Sequence, residues 1–202
     1  MSSVRTLTLA DAAIPRAGLL RDAALILGAS LVTALAAQVA VPVPWSPVPL
    51  TGQTFAVLLT GAALGARRAL LAQVLYLVEG VSGLPVFAGG AGGPLVLVGP
   101  SAGYLVAFPF AAAATGALAE RGWDRSFGTT LLAMLAGSLV ILVPGLAVLS
   151  RFVGEDRLLA AGLLSFLPGD ILKAVAAAFV LPAAWRFANG QRARTGRDGL
   201  GA

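Results

Sequence analysis

Long apolar stretches, almost free of charge, recur along the chain at lengths close to the thickness of a bilayer. A helix needs about 20 predominantly apolar residues to cross the hydrocarbon core, and clusters of proline, glycine and charged residues separate the stretches as loops would. The pattern predicts an all-α, polytopic integral membrane protein whose residues 1–202 form a single transmembrane domain. The six predicted spans are about Ala23–Val41, Gln53–Gly65, Ala69–Glu79, Ser101–Ala119, Gly128–Ser150 and Gly169–Phe187.

The first three of these spans carry alternatives. The second and third stretches are short for a bilayer, so each is expected to take residues from a neighbouring loop. The first stretch follows Arg5, Arg16 and Arg21 and contains an Ala-x-Ala sequence at Ala34–Ala36, a pattern that also occurs at signal-peptide cleavage sites. Its length, and the spans that come after it, favour a retained membrane helix.

The composition agrees with a lipid environment. Hydrophobic residues make up 58% of the chain, charged residues make up 11%, and the mean hydropathy is +0.89, a balance that one soluble core of this size could not bury. The chain has no cysteine and no histidine, which excludes disulfides, thiolate or imidazole metal sites and histidine acid–base catalysis. The net charge of +5 lies at chain ends and short loops, which argues against nucleic-acid binding.

The distribution of arginine predicts the orientation, because basic residues in short loops stay on the cytoplasmic side. With the N-terminus inside, eleven arginines fall on inner segments and only Arg151 and Arg157 fall on outer loops. We therefore expect both termini in the cytoplasm, as a segment of about residues 1–22 and a basic tail of about residues 188–202. The expected outer loops are Val41–Gly52, Gly80–Pro100 and Arg151–Pro168.

Two ionisable residues, Asp170 and Lys173, fall inside the sixth predicted span, and Lys173 is the only lysine of the chain. Charged side chains at membrane depth are costly, so they usually face a cavity or one another. A spacing of three places both on one helix face, near the outer end of the span. They are therefore candidates for binding a ligand that has a carboxylate for Lys173 and N–H donors for Asp170. The alternative is a structural ion pair that ties the span into the bundle.

The outer loop Gly80–Pro94 is too rich in glycine for a spanning helix and too apolar for a solvated linker. Its backbone has to fold back against protein or a cavity, because unpaired peptide groups cannot face lipid. Glycines such as Gly89 and Gly90 would let the backbone approach a small ligand closely, and Phe87 would supply an apolar wall. Ordinary re-entrant packing explains the same composition.

The first outer segment, Pro42–Gln53, contains four prolines and cannot be helical throughout, so we expect a stiff, extended lid. Gln53 is expected to point a polar group into a pocket beneath it. Trp45 fits an interfacial anchor. Tyr104, near the start of the fourth span, is either an interfacial tyrosine or a pocket wall with a hydroxyl group.

Small residues recur at steps of four in the first span, at Ala29, Thr33 and Ala37. This spacing permits close approach of another helix. It predicts a partner interface, although the pattern arises readily by chance in an alanine-rich chain.

Four motifs then occur in order: Val48-Pro-Leu-Thr-Gly-Gln-Thr-Phe-Ala-Val-Leu-Leu59, the segment from Tyr76-Leu to Gly83-Leu-Pro-Val-Phe-Ala-Gly-Gly90, Gly99-Pro-Ser-Ala-Gly-Tyr-Leu105 and Pro168-Gly-Asp-Ile-Leu-Lys173. Together they resemble the BioY family, the biotin-specific S components of energy-coupling factor transporters, over roughly residues 20–188. The family usually has two glycines before the tyrosine of the third motif, where this chain has Ala102-Gly103. Some relatives also carry a polar side chain near Gly89.

The resemblance implies a six-transmembrane-helix S-component bundle that captures biotin at high affinity for uptake and has no catalytic site and no cofactor. Its partners would be the lipid bilayer, a transmembrane coupling subunit, which Ala29, Thr33 and Ala37 would contact, and two ATPase subunits. Residue by residue, Asp170 would bind the ureido group and Lys173 the carboxylate. The other expected pocket residues are Gln53, Phe87, Gly89, Gly90 and Tyr104.

Other functions stay open at this stage. The ligand could be another small vitamin with a carboxylate, or the chain could be an intramembrane enzyme that uses Asp170 and Lys173 as acid and base. One carboxylate, one lysine and no histidine leave few tools for catalysis. A pore is less favoured, because no ring of charges or filter-like carbonyl run is present in the sequence. The sequence also contains no Walker motif, so the chain itself is not expected to hydrolyse ATP.

Overall fold

The computed structural model of the chain describes residues 7–14 and 18–198, with side chains up to residue 190. Arg5 and Arg16 of the predicted inner segment lie outside the described residues, as do the side chains of Arg192, Arg194 and Arg197 in the predicted tail. The helices are α1 Leu9–Ala13, α2 Leu19–Gln38, α3 Gln53–Leu64, α4 Ala66–Val81, α5 Ala102–Ala119, α6 Phe127–Leu149, α7 Glu155–Leu159 and α8 Leu167–Asp198; the strands are β1 Ala40–Val43 and β2 Ser46–Thr51.

The six long helices α2, α3, α4, α5, α6 and α8 coincide with the six predicted apolar stretches to within a few residues, except that α8 continues to Asp198. Within the described ranges, four segments are long and apolar enough to cross a membrane, namely Leu19–Gln38, Ala102–Ala119, Phe127–Leu149 and Glu155–Gly190. Helix α3 is apolar but shorter. The prediction of a mostly helical chain with several apolar helices is therefore confirmed.

The first outer segment departs from the all-α prediction, because it forms a two-stranded antiparallel sheet. Ala40 pairs with Thr51, Val41 with Leu50 and Val43 with Ser46, and the register shifts between Val41 and Val43. The intervening residue is Pro42, which has no N–H to donate to a ladder, so a short edge hairpin accommodates it where a helix would not. The extended conformation that its prolines predicted is confirmed.

Helix α5 lies at the centre of the bundle, in contact with α3, α4 and α6. Its small residues make this possible, because they let neighbouring backbones approach closely. A Cβ atom added at Gly103 would lie 2.2 Å from the carbonyl oxygen of Pro144 in α6. The close packing of α5 on α6 therefore requires a glycine at position 103. The side chain of the preceding Ala102 is accommodated in the buried interior.

Contacts near the ends of the long helices define two ends of the bundle. At one end, α2 begins with Arg21 beside Asp11 of α1, α4 begins with Arg68 beside the same carboxylate, and the loop after α5 contacts α8. At the other end lie the hairpin, the glycine loop and the segment between α6 and α8. Helix α1 and the α5–α6 loop therefore share one end of the bundle.

The short helix α1 holds the first of these ends together through Asp11. Its carboxylate lies 3.0 Å from Arg21 and 2.9 Å from Arg68, and Thr8 donates a hydrogen bond to it at 2.8 Å. Burial alone would raise the pKa of Asp11, but the hydrogen bonds from Thr8, Arg68 and Arg21 outweigh it and lower the pKa to about 2. The carboxylate therefore stays ionised and links α1 to α2 and α4.

A second contact at this end joins the α5–α6 loop to α8. The indole N–H of Trp185 donates to the buried carboxylate of Asp124 at 2.5 Å, and the Arg125 guanidinium lies 4.6 Å from the Trp185 ring centroid. Burial raises the pKa of Asp124 above its usual value. Trp185 also packs with Ala12 of α1. The part of α8 around Trp185 is therefore attached both to α1 and to the α5–α6 loop.

Candidate ligand-binding site

A cavity of about 160 Å³ lies at the end of the bundle that carries the hairpin and the glycine loop. Residues of β2, α3, the glycine loop, α5, α6 and the start of α8 enclose it. Four of the predicted site residues line it, namely Gln53, Phe87, Tyr104 and Asp170. The fold therefore brings together side chains that are up to 117 positions apart in the sequence, from Gln53 to Asp170.

The remaining predicted site residues are placed differently. Lys173 borders a separate space of about 10 Å³ behind Asp170 and does not line the main cavity. Gly89 and Gly90 lie in an exposed turn, and the cavity wall there consists of their neighbours Ala88 and Ala91. Whether Lys173, Gly89 and Gly90 contact a ligand stays a prediction.

The polar end of the cavity is built around Asp170, which is only 5% exposed. The Lys173 ammonium lies 3.7 Å from its Oδ1 atom and donates hydrogen bonds of 2.8 Å to the carbonyl oxygen of Thr51 and to the hydroxyl of Thr54. The Thr54 hydroxyl in turn lies 3.4 Å from Asp170 Oδ1, as its donor. The ion pair that the sequence offered as the structural alternative is thus present, and the Thr54 hydroxyl bonds to both of its members.

Gln53 is held by a chain of hydrogen bonds that sequence reasoning missed. Its side-chain amide donates to the hydroxyl of Tyr76 at 2.6 Å, and that hydroxyl donates to the carbonyl oxygen of Val86 at 3.0 Å. The Thr51 hydroxyl donates to Gln53 Oε1 at 2.9 Å. Tyr76 is 0% exposed, so it joins α3, α4 and the glycine loop from inside the bundle. Its place in the second motif was the available signal.

The glycine loop folds back onto the bundle, as predicted for an apolar segment with unpaired peptide groups. Its backbone pairs internally, with Phe87 N–H donating to Ala91 at 3.0 Å and Gly93 N–H donating to Gly80 at 2.7 Å. The Phe87 ring lies directly over Gly80, where an added Cβ would be 2.1 Å from a ring carbon. Glycine at position 80 therefore admits the aromatic wall of the cavity, and Phe87 also packs edge-on against Tyr76 at 5.5 Å.

Tyr104 is a wall of the cavity, which decides between the two alternatives left open by the sequence. Its ring lies 5.5 Å from Phe166, another lining residue, and its hydroxyl donates to the carbonyl oxygen of Gly162 at 3.0 Å. The hydroxyl is thus engaged with the backbone of the π-helical turn Ala160–Leu164. The ring, with Phe87, Phe108 and Phe166, gives the cavity its apolar character.

The hairpin covers the cavity and is attached at both ends. Val48 and Pro49 of β2 contribute to the cavity wall. At the tip, the exposed indole of Trp45 donates to the hydroxyl of Ser165 at 2.8 Å. At the base, Thr51 accepts from Lys173. Trp45 therefore joins the hairpin to the segment before α8 through its N–H, and its ring is 62% exposed.

The predicted partner-interface residues Ala29, Thr33 and Ala37 are buried inside the chain. Helix α2 packs on α4 through this face, where Gln73 donates to the Thr33 hydroxyl at 3.0 Å and Ser30 donates to Glu79. Small residues at this spacing permit close packing, and here the helix that uses it belongs to the same chain. Docking of another subunit on these three residues stays a prediction that requires α2 to move away from α4.

The chemistry available in the cavity favours binding over reaction. Its walls are largely aromatic and aliphatic, and its polar groups are one carboxylate, hydroxyls and an amide. Within residues 7–14 and 18–198, no group of three or more acidic, histidine or cysteine side chains could hold a metal ion. A carboxylate in an otherwise apolar pocket suits a small ligand that presents N–H donors.

Known proteins resemble the chain in sequence and in fold. A profile of the BioY family matches residues 5–190. The chain is 36% identical to the biotin transporter BioY of Rhizobium etli over 75% of its own length and 86% of the relative's. It is 40% identical to the probable biotin transporter BioY of Pyrococcus horikoshii, over 73% and 86% of the two lengths.

A solved structure shares the fold. It is the crystal structure of the S-component for biotin from an ECF-type ABC transporter. The TM-score is 0.72, with 23% sequence identity, over 83% of this chain and 92% of the solved one. At this identity the likeness concerns the arrangement of the helices.

We expect Tyr76→Phe to lower the thermal stability of the purified protein by about 1–3 kcal/mol, because the buried amide of Gln53 and the carbonyl of Val86 both lose their partner while the ring packing is kept. Tyr104→Phe is the matched comparison, since its hydroxyl makes a single hydrogen bond to Gly162. The measurement is thermal unfolding in detergent without ligand. A Tyr76→Phe protein as stable as the wild type would show that the chain from Gln53 to Val86 does not hold the site.

Proposed function

Because the chain belongs to the BioY family, we propose that it captures biotin at the outer face of the cell membrane, as the S component of an energy-coupling factor transporter. Relatives that it covers over most of their length are named biotin transporters. The observation that carries the proposal is the carboxylate of Asp170, 5% exposed, at the wall of a cavity lined mainly by apolar side chains. A buried carboxylate is an acceptor-only group, and the ureido ring of biotin presents two N–H donors.

In the proposed complex, Asp170 accepts from the ureido group, and Phe87 and Tyr104 contact the apolar rings of the ligand. Lys173 binds the ligand carboxylate. The ammonium has three N–H groups, two of which are engaged with Thr51 and Thr54, and its flexible four-carbon stem allows it to move toward the cavity. Gln53, held by Tyr76, presents its amide at the cavity wall.

The glycine loop completes the proposed site. Gly89 and Gly90 both have positive φ angles, +67° and +74°, which side-chain-bearing residues rarely adopt. Their peptide groups would reach a ligand after an inward movement of the exposed turn that contains them.

The proposed partners are a transmembrane coupling subunit and two ATPase subunits. Two apolar helices, α2 and α8, lie at the periphery of the bundle and expose large side chains, among them Leu31 and Leu35 of α2 and Phe179 of α8. Such surfaces face either lipid or another membrane subunit. This chain would thus bind the ligand, and the ATPase subunits would supply the energy for its uptake.

We also propose that all six long helices cross the membrane and that both termini are cytoplasmic. The even number of long helices and the excess of arginine at the end that carries α1 both support this orientation. Reporter fusions at Gly52, Pro94 and Gly154 are expected to be external, and fusions after residue 190 internal. A cytoplasmic signal from the fusion at Gly154 would contradict six crossings.

Asp170→Asn is expected to insert and fold, yet to lose biotin. Asparagine keeps the shape of the side chain, but its amide N–H₂ would meet the ureido donors, which leaves a buried donor unpaired at about 1–3 kcal/mol. Biotin affinity and thermal stability without ligand are measured on the same preparation. If Asp170 only balances the charge of Lys173, the substitution lowers stability and leaves biotin affinity unchanged. That outcome would show that Asp170 does not bind the ligand.

Lys173→Ala tests whether Lys173 binds the carboxylate of the ligand. The proposal requires it to weaken biotin far more than a biotin amide, because a charge-assisted hydrogen bond to the carboxylate is worth about 1.5–3 kcal/mol. Equal losses for the two ligands would exclude the carboxylate role. If freshly purified protein releases a different carboxylate-bearing vitamin on denaturation, that vitamin replaces biotin in the proposal.

A further inference from the structure

Thr54 lies beside the two charged groups of the site, and the sequence did not single it out for a role. It is the second residue of α3, one position after Gln53. It lines the main cavity together with Asp170, and it also lines the small space behind, together with Asp170 and Lys173. Thr54 and Asp170 line both spaces, and Thr54 is the one of the two that carries a hydroxyl group.

The distances give this hydroxyl a specific place. Lys173 Nζ lies 2.8 Å from Thr54 Oγ1 and 3.7 Å from Asp170 Oδ1. A direct charge-assisted hydrogen bond between an ammonium and a carboxylate is about 2.7–2.9 Å long. At 3.7 Å, Lys173 and Asp170 therefore do not form this short hydrogen bond. Thr54 accepts from the ammonium, and its own O–H points to the carboxylate at 3.4 Å.

We infer that Thr54 is a positioning residue for ligand binding, whose hydroxyl bonds to both Asp170 and Lys173 and takes the place of a direct short hydrogen bond between them, so that both stay available to the ligand. The inference rests on the proposed function, in which these two residues contact biotin. In an apolar pocket, a carboxylate and an ammonium that touch one another are strongly attracted. A ligand would have to break that contact before it could use either group. The hydroxyl serves both charges and thereby lowers this cost.

Among the described residues, no other side chain is hydrogen-bonded to both charged groups. Thr51 contacts Lys173 only through its backbone carbonyl oxygen, which every residue possesses. The amide of Gln53 is engaged with Tyr76. The Thr51 carbonyl helps to hold the ammonium, but only the Thr54 hydroxyl bonds to the ammonium and to the carboxylate as well.

The test compares Thr54→Val with Thr54→Ser in the full chain, purified in detergent. Valine keeps the shape and removes the hydroxyl, and serine keeps the hydroxyl. We expect Thr54→Val to weaken biotin by roughly tenfold to a hundredfold, in line with the loss of hydrogen bonds to charged groups, and Thr54→Ser to restore affinity close to the wild type. Thr60→Val, on the same helix, is the matched control, because its hydroxyl bonds to backbone carbonyls of its own helix.

A second measurement separates positioning from stability. The Thr54→Val substitution is repeated in a Lys173→Ala background, where there is no ammonium to hold apart. Its effect on biotin affinity should become much smaller there, while a general loss of packing would persist. Thr54→Ala, with less bulk than valine, and thermal unfolding without ligand show whether the fold is retained.

The outcomes distinguish the inference from the function. If the wild type binds biotin and Asp170→Asn and Lys173→Ala bind it more weakly, but Thr54→Val binds normally, the inference is wrong and the function stands. Failure of serine to restore affinity, or an undiminished effect in the Lys173→Ala background, also overturns it. If the wild type does not bind biotin, or if Asp170→Asn and Lys173→Ala bind it as the wild type does, the function and the inference both fail.

Discussion

The placement of a carboxylate and an ammonium inside an apolar bundle is the constraint on which the site depends. Such charges are tolerated only where other groups of the protein compensate them. Here the compensation comes from three directions, because Lys173 reaches the end of β2 through Thr51, the start of α3 through Thr54 and the first turn of α8 through Asp170. The same contacts that neutralise the charges therefore also position the hairpin, α3 and α8 around the cavity.

A second set of contacts holds the opposite wall, and it is made of aromatic rings and one phenol. Tyr76 packs against Phe87 and Phe108 and bonds to Gln53 and to the backbone at Val86. Because Gly80 has no side chain, Phe87 can lie on α4. The irregular glycine loop is thus attached to a helix, which satisfies the requirement that backbone outside helices be buried against protein in a membrane.

Helix α2 illustrates how one pattern serves different purposes. Its inward face carries small and polar residues, Ala29, Ser30 and Thr33, that pack and bond against α4. Its outward face carries Leu31 and Leu35. Spacing along a helix indicates which residues share a face, but the direction of that face depends on the neighbouring helices. A partner subunit that approached α2 in this conformation would meet the leucines.

The sequence alone determined the helices and the residues of the chain that could carry chemistry. Apolar runs between proline and glycine clusters placed the six long helices, four prolines placed an extended segment, and the cost of charge in lipid drew attention to Asp170 and Lys173. These features follow from local hydrophobicity and backbone restriction, which each segment possesses by itself. The four motifs, in their order along the chain, indicated the BioY family.

Only the tertiary structure decided which side chains meet. It placed Asp170 at the cavity and Lys173 behind it, turned Gly89 and Gly90 outward, and buried the small residues of α2. It also gave Thr54 and Tyr76 their hydrogen-bond partners, which lie in other elements and which the first two motifs do not specify. Distances of a few ångströms between segments more than one hundred residues apart, as between Thr54 and Asp170, are set by the packing of the whole bundle, and no single segment encodes them.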